Sequence, residues 1–279
     1  MLLLLPLLAA GCGSDDDNGT PPDRFNSDRA FDLIEQQVSY GPRPAGSEAL
    51  QSLGPKLLRQ LPHGTVQPLA GGLRNLIGVI PGRAPAILVA AHYDTEATIP
   101  NHVGANDGAA GTAAVIELAR AVSKDLPADH REIRFVLFDG EEEPAGCPDS
   151  QFLECALRGS KAYAADHADE IGQLILLDYI ANGGLQLPME ANSDAALWAQ
   201  MRDAADRVGA SDYFPDTVGA AVIDDHAPFL QRNVPSIDLI DFKYTFADTA
   251  EDTPDKLDRR ALDAVGESVA QLVIDLSDD

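Results

Sequence analysis

Four groups of residues in this sequence can do chemistry together. They are His92-Tyr93-Asp94, Asn106-Asp107-Gly108, Asp139-Gly140-Glu141-Glu142-Glu143 and Asp178. Three of them directly follow short apolar runs, at 86–91, 133–138 and 174–177. In an open α/β sheet, ligands bind at the carboxyl ends of the strands, so each run that forms a strand delivers its polar residue to one edge. One such group is ordinary loop chemistry. Several carboxylates gathered at one edge repel each other, and a bound cation relieves that repulsion best. An imidazole among carboxylates, with no cysteine pair nearby, suits zinc. Two ions bridged by one carboxylate can clamp a water and polarise a carbonyl. Such a centre also needs a carboxylate that is not a ligand, to take a proton from the water and return it to the leaving amine. Glu141 and Glu142, adjacent on one loop, suit that division.

The rest of the chain must supply elements to position these groups. Apolar runs at 75–80, 86–91, 133–138, 174–177 and 234–240 predict five strands. Ser27 can cap a helix whose Phe31, Leu33, Ile34 and Val38 share one face. A second helical pattern passes through Leu50, Leu53, Leu57 and Leu61, and others cover 111–123, 160–167, 195–208 and 260–276. Strands that alternate with helices and are apolar along their length predict an α/β fold. The expected form is a single domain over 27–279, its central sheet mostly parallel or mixed and covered by helices on both faces. The only tryptophan, Trp198, falls on a helical stretch among Ala and Leu and is expected in the core or on the helix surface. His63, His102, His130 and His167 have no partner pattern and are expected at the surface, whereas Asp225 fits a supporting or a plain loop role equally.

Charge and the amino terminus bound the setting. Acidic residues outnumber basic ones 45 to 20, a net charge of -25 that repels phosphate backbones and argues against nucleic acid as a partner. Residues 1–12 read as an export leader: an apolar run, then the small residues Ala9-Ala10-Gly11 before Cys12. The segment resembles the lipobox of bacterial lipoproteins, in which that thiol is acylated, although no Lys or Arg precedes the apolar run. Residues 13–26, rich in Gly, Ser, Asp and Pro, are expected to be a flexible tether. The chain is then expected in the bacterial cell envelope, outside the cytoplasm and anchored to the lipid bilayer through Cys12. Export permits a disulfide between Cys147 and Cys155.

The ordered set His92-x-Asp94, Asn106-Asp107-Gly108, Gly140-Glu141-Glu142 and Asp178 resembles the co-catalytic zinc exopeptidases of the bacterial leucyl-aminopeptidase type. That superfamily also contains the glutaminyl cyclases. Phe138-Asp139-Gly140-Glu141-Glu142, Arg158-Gly159-Ser160-Lys161 and Asp224-Asp225-His226-Ala227-Pro228-Phe229-Leu230 look most like its cyclase-like branch. The resemblance implies one or two Zn2+ ions. It makes His92 and Asp178 ligands of one ion, Asp107 the bridge, Glu142 a ligand of the other and Glu141 the general base. It has Asp94 orient His92 through its second nitrogen and puts Asp224 in an acidic network near the substrate, which Asp178 shares in the cyclases. The family's last ligand is a histidine in a His-Thr-x-x-Asp-Thr motif, but the matching position here is Asp248, expected to bind metal in its place, with His226 as the alternative. The cyclases line their pocket with tryptophans, a part that Phe242, Tyr244 and Phe246 can take here. The implied substrates are peptides with a free amino terminus. Hydrolysis by an aminopeptidase is the first expectation, glutaminyl cyclisation the second, and a metal-poor binding module the third.

If Cys12 carries the lipid anchor, Cys12→Ala should release the protein from membranes on fractionation; unchanged membrane association would sink the lipoprotein reading.

Overall fold

The computed structural model describes residues 23–278, so Cys12, the leader over 1–12 and most of the tether expected over 13–26 lie outside the described residues. Strands β1 (Thr65–Pro68), β2 (Arg74–Ile80), β3 (Arg83–His92), β4 (Arg131–Phe138), β5 (Ile171–Asp178) and β6 (Ser236–Ile240) form one sheet in the order β1-β2-β4-β3-β5-β6. β3 runs parallel to both β4 and β5, and β5 to β6, while β1 and β2 add antiparallel pairings beyond β4. Along β3, Ile87, Val89 and Ala91 enter one core while Ala86, Leu88 and Ala90 enter the other. That is the period-two pattern of a strand with no solvent face, which is why it reads as a continuous apolar run.

The described α-helices are α1 (Ser27–Val38), α2 (Glu48–Leu58), α3 (Gly111–Val122), α4 (Phe152–Cys155), α5 (Arg158–His167), α6 (Ala195–Arg207), α7 (Ala227–Leu230) and α8 (Arg259–Asp278). Ile34, Val115, Leu197 and Val269 bring α1, α3, α6 and α8 onto one face of the sheet, and Tyr163, Ala164 and Phe229 bring α5 and α7 onto the other. The mixed sheet covered on both faces is the expected fold. Trp198 is buried in α6 against Phe214.

The structure differs from the sequence reading at the edges. β1 was not expected. It is an outer strand with Val66 42% exposed, too short and too open to leave an apolar run. β6 begins at Ser236 rather than Val234, because Pro235 has no amide hydrogen for the ladder. The cap of α1 is Asn26, whose side chain accepts from the Arg29 amide at 2.8 Å, and Ser27 is already in the first turn. The packed chain also starts before residue 27. Phe25 is 1% exposed, lies against Gly266 of α8, and shares with Arg24 a backbone contact to Glu267 Oε1 at 2.5 Å. Cys147 and Cys155 are joined, with Cα atoms 6.2 Å apart, and their loop follows Glu142 through α4. No helix among the described residues is long and apolar enough to cross a membrane.

Phe25→Ala should cost about 3 kcal/mol, the range for emptying a buried aromatic site, and lower the melting temperature by roughly 6–12 °C. Thermal unfolding that moved by less than about 2 °C would show that residues 24–26 stand outside the cooperative core.

Candidate active site

The site is assembled at the carboxyl edge of the sheet. His92 ends β3 and Asp178 ends the neighbouring parallel strand β5. Asp107 lies in the turn Ala105–Ala110 that leads into α3. Its φ and ψ of -81° and 96° break the helical path, and Gly108 follows at φ 81°. A Cβ at Gly108 would sit 2.8 Å from the Asp94 carbonyl oxygen and 2.9 Å from His92 Cε1, so glycine alone lets this turn close on His92.

Groups outside the expected ligand set hold the turn in place. Asp252 accepts from the amides of Asn106 and Asp107 at 3.0 Å, and Tyr244 Oη donates to it at 2.9 Å. The Asn106 side chain accepts from the Ala181 amide at 2.9 Å and so ties the turn to the chain after β5. Arg43 is fully buried and donates to the Val103 carbonyl at 2.7 Å. Burial pulls its pKa down to about 10, against the pull of Asp107, Asp252 and Asp94. Its signal in sequence was the Gly-Pro-Arg-Pro stretch at 41–44, and nothing there announces a buried cation.

Asp94 does not take the part expected of it. Its Oδ1 is 3.8 Å from His92 Nδ1, too far for a hydrogen bond. Its oxygens instead accept from the amides of Glu141 at 3.2 Å and Glu142 at 3.3 Å. Arg158 donates to the Glu142 carbonyl at 2.8 Å, and Gly140, at φ 78°, packs under the same guanidinium. The Glu141-Glu142 loop is thus fixed by its backbone.

His92, Asp107, Glu142 and Asp178 come together. His92 Nε2 is 3.1 Å from Asp107 Oδ1 and 3.5 Å from Asp178 Oδ1. Donor atoms of His92, Asp107 and Glu142 all lie within 4.8 Å of one another. Both ring nitrogens of His92 are buried without an aligned hydrogen bond. Ligands about 2.0–2.2 Å from a tetrahedral ion stand roughly 3.3 Å apart, so the spacing and the unsatisfied imidazole fit a divalent cation held by these residues. Asp248 faces the same cavity, and Tyr179 Oη donates to its Oδ1 at 3.2 Å. Both residues have left-handed backbones, φ 46° for Tyr179 and 52° for Asp248, strain that a packed site sustains.

Two histidines differ from expectation. His102, read as a surface residue, is fully buried and reaches Asp107. His226 lies in a separate buried cluster, its Nε2 3.3 Å from Glu190 Oε2 and its Nδ1 3.6 Å from Asp238 Oδ2. Asp224 belongs to that cluster and also lines the active-site cavity. Asp225 is fully buried, which excludes the plain loop role.

The electrostatics follow from crowding. Burial, opposed by His92 and reinforced by Asp224, Asp225 and Asp94, lifts the Glu141 carboxyl well above the ordinary range. Burial, with Asp107 and Glu141, does the same to Glu142. Burial also raises Asp178 to about 7, despite His92. Asp107 goes the other way: burial is outweighed by His102 and His92, and its carboxyl is held far below the usual range.

The cavity over these groups has a volume of about 590 Å³, with Ile99, Phe152, Val222 and Ile223 among its apolar walls. It shares Val222, Ile240 and Phe242 with an adjoining cavity of about 830 Å³, which Tyr244 and Phe246 line.

A mixed sheet that gathers an imidazole and converging carboxylates at its carboxyl edge defines the class: an α/β enzyme built around a cluster able to bind metal. The chain belongs to peptidase family M28, whose model matches residues 75–273. It is 29% identical over 55% of its length to aminopeptidase YwaD of Bacillus subtilis. The glutaminyl cyclase of an Acidobacteriales bacterium superposes with a TM-score of 0.79 at 28% identity, covering 98% of this chain and 99% of the other. A Zn-dependent exopeptidase from Parabacteroides distasonis superposes with a TM-score of 0.79 at 27% identity, covering 91% and 99%. The chain spans 31% of the Bacillus subtilis aminopeptidase and 61% of the glutaminyl-peptide cyclotransferase of Boiga dendrophila, which it matches at 25% identity over 68% of its own length.

Without metal, the site should make stability depend on pH. Burial and the charge of Asp94 raise Asp139 to about 7, beside Asp178. In the unfolded chain both ionise near pH 4. Between those values the folded protein binds more protons, so stability falls as pH rises. His92 adds to the fall, because Asp107, Asp178 and Asp94 outweigh its burial and raise its pKa, and the stabilising proton is lost as pH climbs. Asp107 acts oppositely but only below the carboxylate range. Chelated protein should therefore melt lower at about pH 8 than at about pH 5, and a divalent cation should reverse most of the difference. A flat profile with chelator would show that these acids are already ionised in the fold.

Proposed function

We propose that the protein is an exported zinc aminopeptidase, tethered to a membrane through Cys12, that removes the amino-terminal residue of peptides. Asp107 carries this reading. Its Oδ1 faces His92 while its Oδ2 has a different partner, the arrangement expected of a carboxylate shared between two ions. Zinc, when bound, supplies the Lewis acidity that activates water and polarises the scissile carbonyl. His92, Asp107, Asp178 and Glu142 are the residues to hold it, with Asp248 on the same cavity wall. Glu141 takes the proton of the attacking water and returns it to the leaving amine, a task suited to a carboxyl whose proton affinity burial has raised. The acidic groups of the cavity, Asp224 and Asp248 among them, attract the substrate's free ammonium, and the apolar walls receive its first side chain.

Glutaminyl cyclisation is the second reading. It is favoured by the end-to-end correspondence with a cyclase and by Asp224, which borders the cavity beside Glu141. In it the substrate's own amine attacks its side-chain amide, Glu141 moves the proton, and ammonia leaves.

Zinc-loaded protein should be given peptides beginning with Leu and with Gln, and the products identified by mass. Free leucine supports hydrolysis. Ammonia and a ring-closed product from the Gln peptide alone would replace it with cyclisation. Glu141→Gln should lower turnover by about 10²–10⁴-fold while zinc content stays near that of the wild type; loss of zinc from this variant would remove Glu141 from the role of base.

A further inference from the structure

We propose that His102 is a metal ligand, holding an ion on the far side of Asp107 from His92. The inference rests on the zinc reading of the site but is independent of whether the reaction is hydrolysis or cyclisation.

His102 lies in the irregular chain between β3 and the Asp107 turn and is fully buried. Its Nδ1 is 2.8 Å from the carbonyl oxygen of Thr249. A carbonyl can only accept, so Nδ1 carries a proton, and whenever the ring is neutral its lone pair is at Nε2. That lone pair is 3.0 Å from Asp107 Oδ2. A nitrogen and a carboxylate oxygen this close and buried need either a proton on Nε2 or a cation beside them, and the neutral tautomer leaves the place to a cation. On the other side of the same carboxylate, His92 Nε2 is 3.1 Å from Oδ1. Asp107 is thus bracketed by two imidazole nitrogens at almost the same distance, one per oxygen. Each distance suits two ligands of a common ion, roughly 3.3 Å apart in a tetrahedral shell.

The support behind His102 is what a metal-binding histidine needs. A ligating imidazole characteristically donates its other N–H to a carbonyl or carboxylate, which fixes the ring and the tautomer. Thr249 does this for His102. Thr249 is also the neighbour of Asp248, the residue that replaces the histidine expected from the resemblance. Asp248 itself is turned toward the Tyr179 hydroxyl. The loop that would have brought a histidine to the metal instead holds His102 there by its backbone. His92 with Asp178 at one oxygen of Asp107, and His102 at the other, then form two half-sites around this carboxylate.

Zinc stoichiometry tests this directly. Wild-type protein, His92→Gln, His102→Gln and Asp248→Asn are loaded with zinc, freed of excess and assayed for bound metal, with circular dichroism as a check on folding. Wild type and Asp248→Asn should hold two ions, and each histidine variant one. Zinc X-ray absorption of the wild type needs no variant and should show, on average, one imidazole per ion. Two ions in His102→Gln, or half an imidazole per ion in the wild type, would overturn the assignment and make His102 a permanent ion-pair partner of Asp107. A wild type with one ion overturns it as well. A wild type with no zinc would fail the metal reading itself, with the proposal falling alongside.

Discussion

Negative charge packed into a buried edge is the constraint on which the rest of this structure depends. Glu141, Glu142, Asp178, Asp224 and Asp248 all border one cavity. Two like charges about 4 Å apart near a protein surface cost on the order of 4 kcal/mol, so a set of this size cannot ionise together without a counter-charge. The pKa shifts record the conflict. All five carboxyls are pushed upward, with burial as the largest cause. Asp107, at the centre, is pushed down because two imidazoles flank it. The fold thus favours the ionised form at Asp107 and disfavours it at the acids around it, a balance that a bound cation would shift.

Placing these groups falls to other carboxylates, which bind backbone rather than ligand. Asp94 takes the amides of Glu141 and Glu142, and Asp252 takes those of Asn106 and Asp107. Each of these acids accepts from two consecutive amides, so two acids fix the geometry of three others. Arg43 completes the frame from below, as a buried cation that bonds the backbone at Val103 and Gly104 and faces Asp107. The division accounts for the place of Asp94: its two oxygens are aimed at the amides of Glu141 and Glu142, and His92 Nδ1 stays 3.8 Å away.

What the sequence made legible follows the regular elements. His92 and Asp178 end buried strands, where an apolar run stops at a single polar residue, and Gly108 marks the close turn beside Asp107. His102 was not legible, because it lies on irregular chain with no period and its partner Thr249 is 147 residues away. Arg43 was missed for a related reason. Arginine is seldom fully buried, and only the folded loop supplies the carbonyls that its terminal nitrogens bond. Phe25 stands alone after a polar stretch, so composition assigned it to the tether although α8 covers it.

The cavity bears on the choice between the two reactions. A site built to close a glutamine ring must recognise a side-chain amide, and buried polar partners set that kind of selectivity. Here Ile99, Phe152, Val222 and Ile223 are apolar walls that suit an apolar side chain, with Thr98 and Tyr179 as polar neighbours. No tryptophan reaches them, since Trp198 is held in α6 against Phe214. The acids lie together at one end, where a free ammonium would be attracted, and Phe242, 58% exposed, stands where the two cavities meet. On the proposed aminopeptidase reading, the acidic groups would hold the amino terminus, the apolar walls its first side chain, and the adjoining cavity the chain that follows.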